Sequence, residues 1–247
     1  MRHFAATLQR RFARLTALAC CALLASFSLF ANPAFARETD NAKRCAGLIE
    51  KAAKAIKAGQ EESATTSVEK AQQACATSGA SPSNHQLAVL HLDLGKLLYE
   101  KHAEDALAHF RTALVLDPEN PRASLNTGGA LIKLRHYAEA VPILESAIAR
   151  GTGDTDVRFK LEYNAGFAFI NLCLKNRHCD AVRGEQHLAR AAELNPDFAD
   201  TYFQQAAMTN DGLHDSRRAM ALFKKACDRG HDEGCRQYEH FKAGLGE

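Results

Sequence analysis

The stretch whose reading decides the fold runs Gly95, Leu98, Ala106, Phe110, Ala113, Pro118, and it returns twice. It comes back as Gly128, Leu131, Ala140, Leu144, Ala147, and again as Gly166, Phe169, Gly184, Leu188, Ala191, Pro196. Gly95 and Gly128 stand 33 residues apart, and Gly128 and Gly166 stand 38 apart. Small residues at fixed offsets among large apolar ones mark close packing, and a period in this range marks a repeated supersecondary unit. Tryptophan is absent and alanine abundant, as tightly packed helices require, and no stretch reads as a sheet.

The period and its small residues resemble the tetratricopeptide repeat. The best match is 121–150, where Asn126, Gly128, Leu131, Tyr137, Ala140, Leu144 and Ala147 all fall in register. Tyr163-Asn164-Ala165-Gly166 is similar to the family's Tyr-Asn-Leu-Gly, and Asp117-Pro118 to its acidic-proline closure. The resemblance implies an all-α protein, an α-solenoid of stacked antiparallel helical hairpins, none able to bury its apolar face alone. Helices are expected over 84–101 and 103–116, through the hairpin 121–150, and over 157–175. Pro142 is expected in the first turn or so of its helix, where a proline is tolerated better than in mid-helix.

Outward from the repeats, residues 1–36 read as a signal peptide. Arg2, Arg10, Arg11 and Arg14 precede an apolar run of 16 residues from Leu15 to Phe30, and Ala34-Phe35-Ala36 supplies a cleavage site before Arg37. That run is short of the roughly 20 residues a membrane span needs. The residues after Arg10-Arg11 fit the twin-arginine motif poorly, and Cys20 and Cys21 lack the leucine-led box of a lipoprotein. Four of the 31 basic residues lie in the leader and none of the 29 acidic ones does, so the remainder carries 27 against 29. A chain with no basic stripe is a poor nucleic-acid binder.

Six cysteines follow the leader, an even number suited to disulfides in an exported protein. Residues 37–82 read as a degenerate N-terminal hairpin that Cys45 opens and Cys75 closes. Antiparallel helices make those ends neighbours, which suits a disulfide; the other reading is two unrelated buried thiols. Residues 83–198 hold the tetratricopeptide array, whose third unit carries an insertion from Leu174 to Val182 flanked by Cys173 and Cys179. An oxidising compartment favours a local disulfide there, the alternative being a metal held by Cys173, His178, Cys179 and His187. In the C-terminal region, 199–247, Lys224-Lys225-Ala226-Cys227-Asp228-Arg229-Gly230 resembles the cysteine-rich Sel1-like repeat. That resemblance implies a Cys227–Cys235 pair and a last helix near 233–243 that caps the array.

No catalytic, cofactor-binding or metal-site motif stands out. Ser67-Val68-Glu69-Lys70 is a lone Ser-x-x-Lys without the companion motifs of penicillin-recognising enzymes. The tetratricopeptide resemblance instead implies a concave groove lined by the first helix of each hairpin. Arg122, Asn126, Lys133, Lys160, Tyr163, Asn164 and Phe167 are the expected partner-binding residues, with Asn126 and Asn164 at the position whose amide serves a bound main chain. Of the family's carboxylate-clamp set, Asn126 and Lys160 match, while Leu92, Lys96 and Asn164 depart from it. Arg111 and Glu145 are placed on the exposed outer face. The expected function is a periplasmic or secreted interaction scaffold that holds a peptide or helix of another envelope or secreted protein, without a cofactor. The alternatives are a Sel1-like envelope enzyme or penicillin-binding protein, and a secreted host-interaction factor.

Overall fold

The computed structural model describes residues 33–76, 82–175 and 180–245. Among them are eleven α-helices and no strand. They form two compact units, one ending at Ser83 and the other beginning at Asn84.

The first unit is a hairpin of α1 (Pro33–Lys57) and α2 (Glu61–Ala76). Residues 1–32 of the expected leader lie outside the described residues. Gly59 turns the chain with φ 69°, a left-handed conformation that glycine adopts without penalty. Ala52, Ala64, Val68 and Ala71 are fully buried, so the two helices meet at nearly bare backbone. Cys45 and Cys75 form a disulfide across the neighbouring ends, with Cα atoms 4.9 Å apart. Ser67 is buried in the same seam, which removes the lone Ser-x-x-Lys serine from solvent.

The second unit stacks α3 (Pro82–Leu98) with α4 (Ala103–Leu116), α5 (Pro121–Lys133) with α6 (Tyr137–Arg150), and α7 (Thr155–Lys175) with α8 (Ala181–Leu194). It continues with α9 (Ala199–Ala207), a π-helical turn at Met208–Gly212, α10 (Ser216–Cys227) and α11 (Asp232–Leu245). Short polar residues cap three of these helices, α5, α8 and α10. Asn120 Oδ1 accepts the N–H groups of Arg122 and Ala123 at 3.0 and 3.3 Å, and Asp180 and Asp215 accept those of Arg183 and Arg218 at 3.0 Å. Each such cap contributes about 1 kcal/mol.

The recurrent glycines set the packing. A Cβ on Gly95 would lie 2.4 Å from the Phe110 ring, one on Gly128 2.4 Å from Leu144, and one on Gly166 2.5 Å from Leu188. Phe110, Leu144 and Leu188 are themselves buried to 1% or less, so none has room to move aside. Each glycine therefore faces the large apolar residue of its own hairpin. Consecutive first helices also touch, α5 against α7 and α7 against α9.

Two expectations need correction. Pro142 is the sixth residue of α6, in its second turn, so it removes the hydrogen bond that Ala138 O would otherwise receive. Glu145 is not an open surface residue: its side chain is 23% exposed, with Arg183 bonded to it and His187 Nε2 3.3 Å away. The fourth repeat's first helix widens at its end into the π turn, where a Cβ on Gly212 would meet Ala181 at 2.8 Å.

Cys173 is disulfide-bonded, so its sulfur is not a thiolate that could hold a metal. His178 and Cys179 lie outside the described residues. His187 is buried with Nδ1 2.6 Å from Glu162, and it serves the packing of α6, α7 and α8. At the end of the chain Cys227 and Cys235 form a disulfide with Cα atoms 4.4 Å apart, tying α10 to α11. Among the described residues no helix is long and apolar enough to cross a membrane.

Candidate functional site

The helical periodicity of α3, α5 and α7 turns one residue in every three or four toward the same side of the second unit. There Lys96 and Tyr99, Phe110 behind them, Leu125, Asn126 and Gly129 of α5, and Lys160 and Asn164 of α7 enclose a pocket of about 350 Å³. Three of the seven expected binding residues, Asn126, Lys160 and Asn164, are thus brought together on adjacent first helices.

Asn126 is the most telling of the three. Its Nδ2 is buried and has no hydrogen-bond partner, so an amide donor in the pocket wall is unsatisfied. Leaving such a group unpaired costs about 1–3 kcal/mol. Rotation of the amide by half a turn exchanges donor for acceptor at the same place. The two cations are held lightly: Lys96 Nζ donates to Asp93 at 3.0 Å and Lys160 Nζ to Asp156 at 2.7 Å, both on their own helices and half exposed. Exposed pairs of that kind are worth at most about 1 kcal/mol, so either ammonium can turn to an incoming anion.

Gly129 forms part of the pocket wall for a reason different from that of its neighbour. A Cβ there would meet only Asn164 Nδ2 and Tyr99 Oη, both at 3.8 Å, which is ordinary contact. Alanine would therefore fit, and glycine inside a helix costs about 1 kcal/mol relative to it. The Tyr99 hydroxyl donates to the Gly129 carbonyl at 3.2 Å and fixes the opposite wall. Lys133, expected to bind a partner, donates to the Tyr99 carbonyl at 2.9 Å and to Glu100 at 2.8 Å, and its ammonium lies 4.3 Å over the Tyr99 ring. It braces the tyrosine.

The other expected residues lie beside the pocket. Arg122 pairs with Asp154 at 3.0 Å, and its guanidinium, with the Val157 N–H, holds that carboxyl below the usual range. Tyr163 donates its hydroxyl to Asp200 of the next hairpin. Burial above all, with the Asp200 carboxylate beside it, pushes its phenol well up, so it stays a donor. Its ring packs between Phe167 at 6.3 Å and Phe198 at 5.5 Å, and Phe198 remains 40% exposed. An aromatic ledge thus continues the first-helix face beyond the pocket. Sequence reasoning did not find Tyr99 and Phe110 as walls. The signal available was an aromatic four residues after Gly95, one helical turn along its face.

Residues 97–160 match the tetratricopeptide-repeat family model. The fold is that of a tetratricopeptide-type solenoid. YrrB, described as a TPR protein with an unusual peptide-binding site, shares it with a TM-score of 0.61 over 86% of this chain and 99% of its own, at 20% identity. MamA shares it with a TM-score of 0.60 over 80% of this chain and 97% of its own, also at 20% identity. A form of MamA from residue 41 onward, from Desulfovibrio magneticus RS-1, gives 0.55 over 75% and 94% at 19% identity. No curated protein matches the chain in sequence.

Proposed function

We propose that this chain is an exported interaction scaffold whose first-helix groove holds a segment of another envelope or secreted protein. One observation carries the reading. Asn126, Lys160 and Asn164 converge on a pocket whose Asn126 amide still has an unsatisfied donor. Two amides and two ammonium groups on a firm apolar wall can hold main chain and acidic groups, but they include no nucleophile paired with a base. Tyr163 and Phe167 extend the groove as an apolar ledge, with Arg122 at its rim. The export half of the proposal rests on the leader-like sequence of residues 1–36 and on the disulfides Cys45–Cys75 and Cys227–Cys235, which persist in oxidising compartments.

The test uses the full chain expressed with its own leader, with partners crosslinked and recovered from envelope extract and then re-measured as purified pairs. Changing Asn126 and Asn164 together to Ala should weaken the recovered pair at least about tenfold, or 1.4 kcal/mol, with melting unchanged. Changing Arg111, which is half exposed and paired with Glu139, should leave it intact. Loss of the pair in the Arg111 variant and its retention in the double variant would move the site to the opposite face.

A further inference from the structure

The groove reading leaves open whether the occupant is a helix or an extended chain, and Gly129 decides between them. Gly95, Gly128 and Gly166 are glycines because a methyl would collide with a buried side chain at 2.4 to 2.5 Å. Gly129 has no such reason, since alanine would fit and would favour the helix. What a methyl would do is project from the pocket wall between the Asn164 amide and the Tyr99 hydroxyl. A bare Cα at that place permits the close approach of another backbone.

Resting on the groove reading, we infer that Gly129 is a specificity-determining gap that seats the main chain of an extended, acidic peptide segment between Asn126 and Asn164. Three further features favour that occupant over a helix. An α-helix measures about 10–12 Å across with its side chains, too wide for its backbone to reach a wall set between Tyr99 and Asn164. Its N–H and C=O groups are also already paired, whereas those of an extended strand are free to meet the two amides. Finally, Lys96 and Lys160 line the pocket, their partners Asp93 and Asp156 stand outside its lining, and among the described residues no carboxylate belongs to that lining, so charge complementarity selects an acidic side chain next to the seated residue.

The probe is a display library of short unstructured peptides selected on the full chain. The strongest binder is then made in three forms: unmodified, N-methylated at single backbone amides, and stapled into a helix. Gly129→Ala should melt no lower than the parent and bind the unmodified peptide at least about tenfold more weakly. Gly129→Ser serves as a second variant with a similarly small side chain. N-methylation at one position should cost a comparable factor, and the stapled form should not bind. Replacing the peptide's acidic residue by alanine should weaken it further. Undiminished binding by both Gly129 variants, with loss in the Asn126/Asn164 double variant, overturns the gap and leaves the groove standing. Tighter binding by the stapled form does the same. If no peptide is enriched, or the double variant binds as the parent does, the groove reading falls and the gap falls with it.

Discussion

Two adjacent glycines in one helix show how differently a single residue type can be used. Gly128 faces Leu144 with no space for a methyl, whereas Gly129 faces a pocket with room for one. Gly128→Leu should therefore destabilise the protein by a few kcal/mol through forced repacking, while Gly129→Ala should leave the melting temperature unchanged or raised. Thermal melts of the two variants check the repeat phase: equal melting temperatures would show it to be wrong. A second prediction concerns His91, which is buried in the α3–α4 seam with Nδ1 3.0 Å from His109 Nδ1 and Nε2 unpartnered. Burial first, and then the charge of His109, hold its pKa down to about 4, against an ordinary value of 6.5. Between those values the unfolded chain binds the proton and the folded one does not. The His91 contribution to stability is thus complete above about pH 6.5 and is lost as pH falls toward 4. Denaturant unfolding from pH 7 down to pH 4.5 should show a steeper loss in the parent than in His91→Leu; parallel curves would remove His91 as the cause.

At the scale of helices and hairpins, what the sequence made legible was whatever depends on small residues and local spacing. The α4, α5 and α6 boundaries follow from Asp117-Pro118, Asn120-Pro121 and the glycine phase. Asn126, Lys160 and Asn164 could be placed because they share that phase. Other features depend on distant partners that no local pattern reveals. Glu145 looked like a surface residue until α8 brought Arg183 and His187 against it, and Tyr163 looked like an open anchor until Asp200 took its hydroxyl. The π turn at Met208–Gly212 likewise answers to packing, since Met208 is buried against Gly184 of the neighbouring hairpin. The N-terminal hairpin carries its own test. Cys45–Cys75 closes a sequence separation of 30 residues, and replacing both cysteines with serine should cost that unit up to about 3–4 kcal/mol. Hydrogen exchange in α1 and α2 measures the loss. Non-reducing peptide mapping should return Cys45 with Cys75 and Cys227 with Cys235, and a cross-pair such as Cys75 with Cys227 would overturn both assignments.

Over the whole molecule, the groove predictions and the enzymatic alternative can be separated by one labelling experiment. Ser67 is buried in the α1–α2 seam, so a labelled penicillin should leave the native chain unmarked, and acylation at Ser67 would reopen the enzyme reading. Binding should also weaken with salt if Lys96 and Lys160 meet an acidic segment, since exposed charges are screened over about 8 Å at physiological ionic strength. Indifference to salt would assign recognition to the amides and the aromatic ledge alone.

The cross-link between α10 and α11 has a consequence for how this solenoid comes apart. Linear repeat arrays open from their ends, where an element has a neighbour on one side only. α11 packs against α10. With Cys227 bonded to Cys235, the start of α11 cannot drift from the end of α10, so fraying there must carry both helices at once. A protease meeting the oxidised chain thus finds no loose turn at that junction, whereas in a thiol-rich compartment the same junction would open more readily. The durability of the α10–α11 hairpin is therefore set by the redox state of its surroundings as well as by its packing.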